Sequence, residues 1–71
     1  MNLYKTNSIV LNLDAFVGME KNIYYHEYDE NVTYGIEYYT DKGSKLIVFD
    51  SEEKRDQNYN DIFLQLQLLG G

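Results

Sequence analysis

The run Thr33-Tyr34-Gly35-Ile36-Glu37-Tyr38-Tyr39-Thr40-Asp41-Lys42-Gly43-Ser44-Lys45-Leu46-Ile47-Val48-Phe49-Asp50-Ser51-Glu52-Glu53 decides the fold. Residues 34–40 and 45–49 are rich in β-branched and aromatic side chains, which fit a pleated, half-buried surface. Between them, Asp41 to Ser44 supplies turn chemistry, and Gly43 can take the positive φ of a tight hairpin connection. Side chains alternate along a strand, so Val32, Tyr34, Ile36, Tyr38 and Thr40 share one face and Thr33, Gly35, Glu37 and Tyr39 the other. Glu37 marks the second face as the wetter one, and the Ile36 face is expected to meet the core. The unbroken Leu46-Ile47-Val48-Phe49 suits a strand buried on both faces or central in its sheet.

Asp50 or Ser51 then caps a helix, since either side-chain oxygen can accept from an orphaned amide of the first turn. With Asp50 as cap, Glu53 falls at the third helical position and completes a capping-box-like pair. The acids of this turn also suit the positive end of the helix dipole. Tyr59, Ile62, Phe63, Leu66 and Leu69 recur at helical spacing and form the expected core stripe, with Gly70 as the stop. Leu64-Gln65-Leu66-Gln67-Leu68 alternates as a strand would. The helix is preferred because cap and propensity agree along its whole length.

Upstream, residues 1–7 read as a polar lead. Residues 8–13 alternate Ile9, Leu11 and Leu13 against Val10 and Asn12, the period of a half-buried strand, and Asp14-Ala15 interrupt them. A short strand runs from Phe16 or Val17 to Glu20, and Gly18 within it suggests a bulge or a close backbone approach. Lys21-Asn22 can turn the chain into a further strand over 23–28, with Ile23 and Tyr25 opposite Tyr24, His26 and Tyr28. A single long bent strand over 17–28 is the equal alternative. Asp29-Glu30-Asn31 has the length of a hairpin loop. The expected fold is one α+β domain over residues 1–71, a four- to five-stranded antiparallel meander with one C-terminal helix packed on one face.

Seventy-one residues enclose a small core, and no Cys is present to staple it by disulfide or thiolate–metal bonds. Eight Tyr among 15% aromatic residues offer buried area by self-association, so a homo-oligomer, most simply a two-fold dimer, is expected. A net charge of −6 disfavours direct nucleic-acid binding and adhesion to anionic membranes, and steers the chain toward basic partners. No basic segment followed by an apolar run marks a signal peptide, and no apolar run is long enough to span a bilayer. A cytoplasmic protein is expected, and the sequon Asn31-Val32-Thr33 is then without consequence.

Searches for chemistry return little. The single His26 has acids for neighbours at Glu27 and Asp29, but in a strand Glu27 points to the opposite face. No Ser or Thr sits in a nucleophile motif, and no Gly-rich phosphate loop is present. Asp56-Gln57-Asn58-Tyr59-Asn60-Asp61 begins like a calcium loop. It then places Asp61 where Gly is needed and Gln67 where a bidentate Glu is needed. No catalytic residue, cofactor or metal is therefore expected. Tyr24, Tyr28 and Tyr39 could stack bases, yet Glu27 and Glu37 would meet the phosphates. Tyr24, His26, Tyr28 and Tyr39 are better read as protein-contact residues, since Tyr is enriched at interfaces. Between Asn22 and Asp41 no Lys or Arg occurs, which leaves Glu27, Asp29, Glu30, Glu37 and Asp41 as one acidic group.

The tail Leu66 to Gly71, ending in Gly70-Gly71, is similar to ubiquitin-like and sulfur-carrier proteins. That resemblance implies an activated terminal carboxylate, although those folds place the helix mid-chain with strands after it. A wider resemblance rests on Asn12-Leu13-Asp14-Ala15-Phe16-Val17, on Tyr-Gly-Ile-Glu-Tyr-Tyr-Thr at 34–40, and on Phe49 to Asp56. These look like small strand-rich single-domain proteins with a C-terminal helix from low-GC bacteria and their phages, and that likeness implies no catalytic residues. The expected function is a non-enzymatic protein–protein interaction module. Its sharper form is an acidic inhibitor that occupies the basic nucleic-acid-binding surface of a partner. The alternatives are a structural homodimer without ligand, or a carrier using its Gly70-Gly71 end.

Overall fold

In the computed structural model, which describes residues 2–6, 8–26, 28 and 31–70, five antiparallel strands and a C-terminal helix build an α+β fold. The strands are β1 (Leu3–Lys5), β2 (Val10–Asn12), β3 (Phe16–Tyr25), β4 (Val32–Thr40) and β5 (Gly43–Phe49), and the helix α1 is Glu52–Gly70. They divide into two sheets: a β1–β2 hairpin, and a three-stranded sheet in the order β3-β4-β5.

The β4–β5 hairpin follows the predicted alternation. Asp41-Lys42 connect the strands and Gly43 takes φ 138°, where an L side chain would be strained. In register, Ile36 lies between Lys21 and Ile47, and Tyr38 between Met19 and Lys45. The Ile36 face meets the core as expected. Ile36, Tyr38 and Ile47 are buried with Ile9, Leu11 and Leu13 from the first hairpin and with Ile62 from α1. Phe16 packs on Tyr38 with ring centroids 5.5 Å apart.

Residues 16–25 take the single-strand reading, and Lys21-Asn22 do not turn the chain. The register slips between Phe16 and Gly18, the bulge that Gly18 suggested. Tyr28 lies beyond the end of β3. The lead 1–7 is not simply polar: Leu3–Lys5 pairs with β2. Asn2 clamps Asp14 from its main-chain amide (3.0 Å) and its side-chain amide (2.9 Å). Asn12 then accepts from the Asp14 amide at 3.0 Å and starts a 3₁₀ turn over Leu13–Ala15. That turn separates the two sheets.

Ser51, not Asp50, caps α1. Its Oγ accepts from the Lys54 amide at 3.2 Å, which moves Glu53 out of the capping-box position and leaves Asp50 to pair with Lys54 at 3.1 Å. Residues 64–68 are helical, so the strand alternative for the tail does not hold, and Gly70 is the last helical residue. Tyr59, Ile62 and Leu66 face the core, whereas Phe63 and Leu69 of the expected stripe stand about half exposed. Arg55, buried beneath the helix start, fixes α1 to the sheet. It donates to Asp56 through Nε (3.1 Å) and Nη2 (2.9 Å) and to the Asn22 carbonyl through Nη1 (3.4 Å), and it lies over the Tyr34 ring. Lys21 reaches Asp56 at 3.2 Å and lies over the Tyr59 ring. Among the described residues no helix is long and apolar enough to cross a membrane.

Candidate functional site: the uncovered face of the three-stranded sheet

The first hairpin and α1 both pack on the Ile36 face, and among the described residues no layer covers the opposite face of β3-β4-β5. Alternation assigns that face Glu20, Asn22 and Tyr24 from β3, with Thr33, Gly35, Glu37 and Tyr39 from β4. Ser44, Leu46 and Val48 join them from β5. At its centre Gly35 lets Tyr24 and Leu46 close in from either side. A Cβ at position 35 would stand 3.1 Å from Tyr24 Cε2 and 3.2 Å from Leu46 Cδ1. Aromatic and aliphatic groups therefore lie flat across the middle of the sheet, with Val48 beside them 58% exposed.

Around this apolar centre runs a linked polar row. Asn22 donates to the Tyr24 hydroxyl (3.2 Å) and to Glu37 Oε1 (3.4 Å), and Ser44 donates to Glu37 Oε2 (3.2 Å). Tyr39 donates to Glu20 Oε1 at 2.6 Å. That bond to a carboxylate, with Glu37 also near, holds the Tyr39 hydroxyl protonated far above the usual phenol range. The row holds both carboxylates on this face as hydrogen-bond acceptors.

Tyr24, Tyr39 and Glu37 thus share one face of the sheet. His26 joins them at the end of the face, its Nε2 2.6 Å from Thr33 Oγ1. Tyr28 is fully exposed in the β3–β4 connection. Asp41 sits in the turn at the far end of β4, a strand length of roughly 25–30 Å from His26. Glu27, Asp29 and Glu30 lie outside the described residues. The unbroken run at 46–49 predicts burial on both faces or a central strand, and neither holds: β5 is an edge strand, and Leu46 and Val48 stand exposed on its open face. Glu20 and Asn22 also lie on this face, where the single-strand alternative over 17–28 places them and a turn at Lys21-Asn22 would not.

His26 lines neither of two concavities, the second of which includes Leu46 and Val48 of this face. One is formed by Asn12, Asp14, Ala15 and residues 40–42, the other by Ser8, Ile9 and residues 45–49 along the β5 edge. Among the described residues no three His, Asp or Glu side chains converge as a metal site would require. No protein-family model matches the chain, and comparisons with curated proteins and with solved structures find no match.

Proposed function

We propose that the chain is a non-enzymatic protein-interaction module working in the cytoplasm, with the uncovered sheet face as its contact surface. The observation that carries this reading is the composition of that face. Tyr24, Leu46 and Val48 are exposed beside two oriented carboxylates, Glu20 and Glu37, with no Lys or Arg among the face's described residues. Tyr and apolar anchors ringed by polar groups are the chemistry of a protein contact. The fixed acids select a basic surface, and a partner's nucleic-acid-binding face offers one. Self-association accompanies this role, because it supplies buried area that a 71-residue core lacks.

The test compares capture of basic proteins by the wild type and by Leu46→Arg, which adds a like charge at the centre of the face. A partner bound by the wild type, released by moderate salt and lost with Leu46→Arg supports the reading. Binding that survives both salt and substitution contradicts it.

A further inference from the structure

We infer that β3 is a self-pairing edge, which joins two copies of the chain into a continuous six-stranded sheet about a two-fold axis at Asn22. This rests on the self-association proposed above and assigns its surface.

β3 flanks its sheet, and its outer side pairs with no described strand. The His26 amide donates to the Asn31 carbonyl at 2.9 Å, continuing the register in which Tyr25 faces Val32. Antiparallel pairs alternate between hydrogen-bonded and non-bonded. Glu20, Asn22 and Tyr24 therefore turn their backbone groups toward β4, while Met19, Lys21, Ile23 and Tyr25 turn theirs outward. Among the described residues, none of the backbone hydrogen bonds outside the regular elements engages these four. Ile23 and Tyr25 carry side chains that are 62% and 66% exposed. A ten-residue edge without proline is the kind that natural sheets cover or pair. The usual guards do not serve here: Lys21 is turned aside to Asp56, and the bulge lies at the Phe16 end, outside the outward-facing run.

The outward set 19, 21, 23 and 25 is symmetric about Asn22, which makes the edge complementary to itself. Centred there, Met19 faces Tyr25 of the second copy and Lys21 faces Ile23, each pair exchanging both backbone bonds. Tyr25 then covers Met19, and Ile23 lies along the Lys21 stem. On the other face Glu20 meets Tyr24, and Asn22 meets its own copy. Centring on Glu20 or on Lys21 would set like charges directly opposite. Centring on Ile23 would leave Met19 unpaired. The two-fold arrangement also closes, so it gives a dimer rather than a filament. The β5 edge is the lesser candidate. It is shorter, its flank is shared with Ser8 and Ile9, and Lys45 bridges it to the Val10 carbonyl at 3.3 Å.

The chain has no Cys, so Asn22→Cys introduces a single thiol. Residues opposed in a non-bonded antiparallel pair stand about 4.5 Å apart at Cα, within disulfide reach. Asn22→Cys is expected to oxidise to a covalent dimer, whereas Glu20→Cys and Tyr24→Cys cross-link only when mixed. Ile23→Pro deletes an outward amide without removing a β4 bond and should reduce the sedimenting species from dimer to monomer. A wild type that sediments as a monomer overturns both this pairing and the self-association beneath it. A dimer in which Asn22→Cys fails to cross-link overturns the β3 pairing alone. If Ile23→Pro fails to fold, the cysteine series decides by itself.

Discussion

The Tyr38 hydroxyl donates to the Asn12 carbonyl at 2.9 Å, a bond between two sheets that share no ladder. Tyr38 is otherwise buried against Phe16 and the core, and burial raises its pKa, which keeps the hydroxyl a donor. Tyr38→Phe keeps the ring and strands the carbonyl. It should cost about 1–1.5 kcal/mol, read as a lower urea midpoint at unchanged slope. An unchanged midpoint would show that the Tyr38 hydroxyl contributes nothing to holding the two sheets together.

Ile62 is the fully buried side chain that α1 contributes to the common core. Ile62→Ala should cost about 2–5 kcal/mol. Small domains have roughly 5–15 kcal/mol in total, so this variant should lose much of its cooperative unfolding transition. Phe63 is the control: one residue along and 48% exposed, its change to Ala should shift stability by no more than about 0.5 kcal/mol.

Two carboxylates set the acid limb of stability. Hydrogen bonds from Arg55, and then Lys21, hold Asp56 below the usual carboxylate range, and those from Asn2 do the same for Asp14. A group with a depressed folded pKa stabilises above its unfolded value, near 4, and that contribution fades as pH falls through the folded value. Urea midpoints should therefore drop below about pH 4. In Asp14→Asn and Asp56→Asn the midpoint should be lower at neutral pH and the acid slope shallower. A wild-type slope that neither substitution alters would refute this assignment.

Gly35 and Tyr24 should be energetically coupled. A methyl at position 35 meets the Tyr24 ring and the Leu46 side chain at once. Gly35→Ala should therefore be less favourable in the wild type than in a Tyr24→Ala background, by about 0.5–1 kcal/mol in a double-mutant cycle. Additive effects would mean that the ring does not rest over Gly35.

What could be read in advance followed period and caps. Alternation at 32–40 exposed the core face, and Ser51 with the helical spacing of Tyr59, Ile62 and Leu66 exposed α1. What could not be read depended on partners distant in sequence. The three-residue β1 exists because Asn2 clamps Asp14 and its strand pairs with β2, and no local pattern carries that. Leu46-Ile47-Val48-Phe49 looks doubly buried in sequence, because whether a strand is central or at an edge is a property of sheet order. Phe63 and Leu69 share the helical period, yet both stand about half exposed. For the site, Tyr24, Tyr39 and Glu37 were visible from strand parity. Glu20 and Asn22 join that face only under the single-strand alternative for 17–28, which the local pattern leaves level with a turn at Lys21-Asn22.

The most direct test of completion by a second chain is amide hydrogen exchange at Lys21, Ile23 and Tyr25, followed from high to low protein concentration. These outward amides should be protected in concentrated samples and lose that protection on dilution, while Glu20, Asn22 and Tyr24, bonded to β4, stay protected throughout. Exchange of the outward amides at unprotected rates at every concentration would contradict the account.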